Sequence, residues 1–133
     1  MTYQQYQQAY KNNSVNTASP GELTLMLYNG CLKFIKYAKK GIEENNYEFK
    51  NTNIQKAQNI IRELMVTLDP KADITDQLMP LYDYIIRILM EANIENRVDL
   101  LDEAYDLVQE FRDTWKEVLK QTRKQSYGQG AQV

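Results

Sequence analysis

The sequence predicts an all-α protein, an antiparallel four-helix bundle with a short N-terminal strap or helix packing on it. Three observations carry this expectation. Apolar residues recur three and four apart over long stretches, the spacing of one helix face. Glycine and proline are scarce, five and three in 133 residues, and no alternating strand pattern of useful length and no internal repeat is present. The periodic stretches are joined by short connections, which makes successive helices antiparallel neighbours.

Residues 1–18, "MTYQQYQQAYKNNSVNTA", read as the strap. Tyr3, Tyr6 and Tyr10 fall at i, i+3 and i+7, so their rings share one face if the segment turns helical. One or two helical turns do not hold in water, so the segment needs an apolar surface to lie on. Two readings stay open: a strap that simply caps the bundle, and a detachable cover over a groove, displaced by a client.

The bundle is expected over residues 19–124. The first helix has the clearest start: Ser19 as N-cap, Pro20 at the first helical position, and Glu22 completing a capping box. Leu23, Leu27, Cys31 (or Phe34), Ile35, Ala38 and Ile42 make its inward stripe, with Leu25, Tyr28 and Leu32 beside it. Gly41 and "ENN" end it. The second helix is expected from about Asn46 to Leu68, with Ile54, Ala57, Ile61, Leu64 and Leu68 inward and Ile60 and Met65 widening the stripe.

Pro80 complicates the third helix, since proline inside a helix costs about 3 kcal/mol and is tolerated in the first turn. The expectation is a short turn at 74–79 and a main helix from Pro80 to Glu95, with one kinked helix as the alternative. Leu81, Ile85, Ile88 (or Leu89) and Ala92 are placed inward. The fourth helix is expected from Val98 to Lys124. Its stripe is Leu101, Ala104 (or Tyr105), Val108, Phe111, Trp115 and Leu119, with Trp115 in the core. Residues 125–133, "QSYGQGAQV", lack packing side chains and are expected to be a mobile tail.

Composition narrows function. The chain has 16 basic and 18 acidic residues, a net charge of −2, where a nucleic-acid binder shows a basic excess. One cysteine, Cys31, forbids an internal disulfide and suits a reducing compartment. No signal-peptide pattern opens the chain, and no apolar run approaches the ~20 residues of a membrane span. The expected location is the cytoplasm, without membrane insertion. There is no histidine, which removes the commonest general base and metal ligand and excludes histidine phosphotransfer and Glu-x-x-His di-iron bundles. No phosphate loop, paired-cysteine spacing or nucleophile–base set is present. The reading is a protein that is not an enzyme and has no catalytic residue, cofactor or metal.

Binding surface remains. Leu25, Leu32, Ile60, Met65, Ile86 and Met90 lie beyond the narrow inward stripes. They either fill a wide core face or line an outer groove for an amphipathic helix, a use to which methionine is suited.

The blocks "AYKNNSVNTASPGELTLMLYNGCLKFI", "KAQNIIRELMVTLD", "LYDYIIRILMEANIEN" and "FRDTWKEVL" together resemble the flagellin-specific export chaperone family, FliS. The likeness spans about Tyr6 to Lys120 in order and spacing. Pro80 departs from many members. The resemblance implies a cytoplasmic four-helix bundle that binds the disordered C-terminal segment of flagellin. It implies that premature polymerisation is prevented and the client delivered to the export gate of the flagellar type III secretion system. It also implies that the N-terminal segment folds near the client surface and takes part in docking at the gate, with Tyr6 and Tyr10 at the matching positions. Exchange of straps between two free copies stays open. Rival readings are a generic helical adaptor for another cytosolic protein, and a membrane-surface protein using the basic stretch "KFIKYAKK".

Overall fold

The structure, a computed structural model, describes the backbone of residues 19–131 and the side chains of residues 19–124. Tyr3, Tyr6 and Tyr10 lie outside the described residues. Four helices follow one another: α1 (Pro20–Glu43), α2 (Tyr47–Thr67), α3 (Asp73–Glu95) and α4 (Val98–Ala131). Neighbours along the chain pack together, and α4 closes the ring against α1. Among the described residues there is no strand.

The first two helices begin at side-chain caps, while α3 starts after Ala72 with no capping side chain. The Ser19 side chain accepts from the Glu22 N–H at 3.2 Å, and Asn46 does the same for Phe49 at 3.2 Å. These bonds satisfy amides that have no partner inside a first turn. Asn45 (φ 57°) and Asn96 (φ 54°) stand in the left-handed region at the two turns of one bundle end, a conformation asparagine tolerates.

The core is built from Cys31, Phe34, Ile35 and Ala38 of α1, Ile54, Ala57, Ile61 and Leu64 of α2, Tyr82, Ile85, Ile88, Leu89 and Ala92 of α3, and Leu101, Ala104 and Val108 of α4. Each set recurs at helical spacing, so four apolar stripes meet on one axis. Cys31 is fully enclosed, and burial pushes its thiol far above the ordinary range, leaving it a small apolar filler.

Several expectations change. α3 is one helix from Asp73, with Pro80 inside it. Pro80 cannot donate to the Asp76 carbonyl, and both residues are exposed, so water can take that carbonyl. Leu81 is 40% exposed and the ring of Tyr82 takes the inward place. The backbone of α4 stays helical to Ala131, past the expected boundary at Lys124. Trp115 is half-buried on the flank of the core, not within it.

The end carrying the α1–α2 and α3–α4 turns is sealed by a polar knot. Lys50, 6% exposed, donates from Nζ to Asn93 O at 2.8 Å and Asn96 Oδ1 at 2.6 Å. Asn93 Nδ2 donates to Asn51 Oδ1 at 2.8 Å. Gly41 lets the backbone of Lys50 come close: a Cβ there would lie 2.8 Å from Lys50 N and 3.0 Å from Asn46 O. The opposite end is not sealed in this way.

Candidate functional site

At that opposite end α1 begins, α2 stops, α3 begins, and the later part of α4 passes. Among the residues around that end are small ones, Gly21 and Thr24 of α1, Ala72 before α3, Thr75 of α3 and Thr114 of α4. They line an open cleft of about 1070 Å³. Its walls are mostly apolar: Leu23 and Leu27, Leu64 and Leu68, Ile74 and Leu78, and Phe111, Trp115, Val118 and Leu119. Along α4 the lining runs from Glu110 to Thr122. At 1.5 Å per residue that is roughly 18 Å, room for about three turns of a helix.

Its frame is fixed by polar bonds at the rim. Trp115 Nε1 donates to the Gly21 carbonyl at 2.7 Å, and Arg123 pairs with Glu22 at 2.6 Å. The second is exposed and adds little stability, but both join α4 to the start of α1. On the inner side lie Tyr28 and Tyr82, whose hydroxyl oxygens are 2.6 Å apart. Phe111 stands against both rings, at 6.2 Å from Tyr28 and edge-on at 5.5 Å from Tyr82. Burial raises the pKa of both phenols, so both keep their protons.

The six residues expected to line an outer groove are not gathered into this cleft. Leu32 and Ile60 are 4% and 3% exposed and belong to the core, because the apolar faces of α1 and α2 are wide and pack on each other. Leu25, Met65 and Ile86 are half-buried, and Met90 is 52% exposed. Ile86 and Met90 do share a face of α3 with Ile94, 75% exposed, at four-residue spacing. That stripe is a second apolar surface, away from the cleft. Tyr6 and Tyr10 lie outside the described residues.

The cleft went unread because Leu27, Phe111, Trp115 and Leu119 have the same helical spacing as core residues. The signal in the sequence is the small residues among its lining, Gly21, Thr24, Ala72, Thr75 and Thr114.

Among the described residues, no group of histidine, cysteine, aspartate or glutamate is placed to hold a metal ion. No helix there is long and apolar enough to cross a membrane. Phe34 and Ile35 of "KFIKYAKK" point into the core, so that stretch offers lysines with little apolar surface to a lipid face.

Comparison with known proteins agrees with this architecture. Residues 2–122 match the family model described as "FliS: Flagellar protein FliS". The chain is 51% identical over 122 residues to the flagellar secretion chaperone FliS of Bacillus subtilis, covering 92% of each chain. It is 36% identical over 119 residues to the FliS of Escherichia coli, covering 87% of this chain and 88% of that one. A solved structure described as a flagellar chaperone from bacteria superposes with a TM-score of 0.72 at 22% identity, over 89% of this chain and 98% of the other, a likeness of fold. With the family model covering residues 2–122, the chain belongs to the FliS family of flagellar proteins, secretion chaperones of flagellum biogenesis and not enzymes.

Proposed function

We propose that this chain binds the disordered C-terminal segment of flagellin in the cytoplasm, keeps it from polymerising, and hands it to the flagellar export gate. The observation that carries the reading is the end cleft, an apolar trough about three helical turns long in a protein of a secretion-chaperone family. An amphipathic segment that packs in a filament exposes apolar surface when free. The cleft offers the same burial reversibly, and no covalent chemistry is required.

A disordered client loses conformational entropy on binding, so one cleft gives modest affinity and a wrapped client gives more. The α3 stripe of Ile86, Met90 and Ile94 is a second contact for a client that continues around the bundle, with half-buried Leu25 and Met65 as flanking positions. Ser19, the residue that follows the proposed strap of residues 1–18, is on the cleft wall. In this reading they cover the cleft until flagellin arrives, and Tyr6 and Tyr10 then serve docking at the gate.

Calorimetric titration with the C-terminal segment of flagellin from the same organism tests the proposal. One-to-one binding with a negative heat-capacity change is expected. Absence of binding by a protein shown to be folded would refute it.

A further inference from the structure

Tyr28 and Tyr82 are 5% and 1% exposed, and each lines the cleft. Their hydroxyls form one hydrogen bond with each other, and either one can be the donor. Two phenols carry two hydrogens, and that bond uses one. The second hydrogen meets no acceptor among the described residues. Thr24 and Thr75 on the cleft wall bond to Pro20 O and Asp69 O, and neither is bonded to a phenol oxygen. The aromatic neighbour Phe111 offers only a ring edge or face. A buried donor without a partner is costly, and in native proteins such a group usually has an assignment.

We infer that the Tyr28–Tyr82 pair is a specificity point of the cleft, donating its second hydrogen to a neutral acceptor oxygen on the bound flagellin segment. This rests on the proposed reading of the cleft as the client site. The acceptor is an amide or hydroxyl oxygen of a side chain, or a carbonyl left unbonded at a helix end. A carboxylate does not suit the place: the surrounding wall is mostly apolar, and the charged groups lining the cleft, Glu63, Asp69 and Glu110, are themselves acidic. Apolar walls alone accept an amphipathic helix in several registers. One buried donor selects the register that brings an oxygen to it, because every other register leaves the hydrogen unmet.

The test titrates the full chain, as wild type, Tyr28→Phe and Tyr82→Phe, with the flagellin C-terminal segment, alongside thermal melts. Phenylalanine keeps the ring and removes only the hydroxyl. At least one variant is expected to bind about tenfold more weakly while remaining folded. A pair that matters only for the bundle would lower the melting temperature and leave Kd at the wild-type value in both variants, which overturns the inference. Tighter binding also overturns it, since it means that the spare hydrogen serves the competing strap. No binding by folded wild-type protein refutes the cleft reading itself, and the inference with it.

Discussion

The indole Nε1 of Trp115 donates to the carbonyl of Gly21 at 2.7 Å, joining the later half of α4 to the first turn of α1. The two residues are far apart in sequence and share one wall of the cleft. The bond therefore belongs to the site as much as to the fold. Trp115→Phe removes the donor and leaves the ring volume largely in place. It is expected to cost about 1 kcal/mol in denaturant unfolding. Trp115→Ala is expected to destabilise by less than the ~3–5 kcal/mol of a fully buried tryptophan, because one side of the ring faces the cleft. Its larger effect should be on flagellin binding, at about 2 kcal/mol. A fold loss in the full core range with unchanged affinity would place Trp115 in the core after all.

Two glycines should answer alike on propensity and differently in fact. Glycine to alanine within a helix gains about 1 kcal/mol from propensity. At Gly41 the new Cβ would meet the backbone of Lys50 at 2.8 and 3.0 Å, and backbone cannot move aside cheaply. Gly41→Ala is expected to be net destabilising by about 1–3 kcal/mol. At Gly21 the close atom is Leu119 Cδ2, 2.6 Å away, the far end of a flexible side chain. Gly21→Ala should keep its melting temperature and narrow the cleft, lowering flagellin affinity. Chemical melts and titrations of both variants check this.

Lys50 gives a pH signature. Burial holds its pKa below the free value of 10.5. Between the folded and the free value, the unfolded chain binds more protons, so this residue's contribution to stability rises with pH. It is complete above about pH 10.5 and is lost as the pH falls through the folded value. Lys50→Met deletes both Nζ bonds to the α3–α4 turn and also the titration. The stability advantage of wild type over Lys50→Met should grow between pH 8 and pH 11, as read by urea unfolding. A constant difference would mean that the ammonium is as well solvated as a free lysine.

The strap is tested through Tyr10. Tyr10→Ala is expected to leave the melting temperature unchanged and to weaken cleft covering or gate docking. Flagellin affinity, gate binding and secretion all at wild-type levels in that variant would exclude a role for the ring.

Most of the fold was legible. The cap at Ser19, the start of the second helix near Asn46 and the stripes Ile54–Ala57–Ile61–Leu64 and Leu101–Ala104–Val108 are local signals, and they survive packing; that Asn46 itself caps the helix is seen only in the structure. Pro80 misleads because the cost of a helical proline depends on whether water reaches the freed carbonyl, which is a tertiary fact. Leu81 and Tyr82 exchange places because neighbours on a helix differ by 100°, and it is Tyr82 that finds partners inside, Phe111 and Tyr28. The candidate site was least legible. Leu32 and Ile60 look like groove residues in sequence and are core in space. Trp115 and Leu119 look like core and line the cleft. Periodicity says which face is apolar, and it does not say whether that face is covered.

The most direct measurement places a photo-crosslinking amino acid at Val118, an exposed residue of the cleft wall, and separately at Met90 on the α3 stripe, in the presence of the flagellin C-terminal segment. Binding in the cleft predicts a crosslink to flagellin from Val118, with a second from Met90 if the client continues around the bundle. A crosslink from Met90 with none from Val118 would contradict the cleft as the client site.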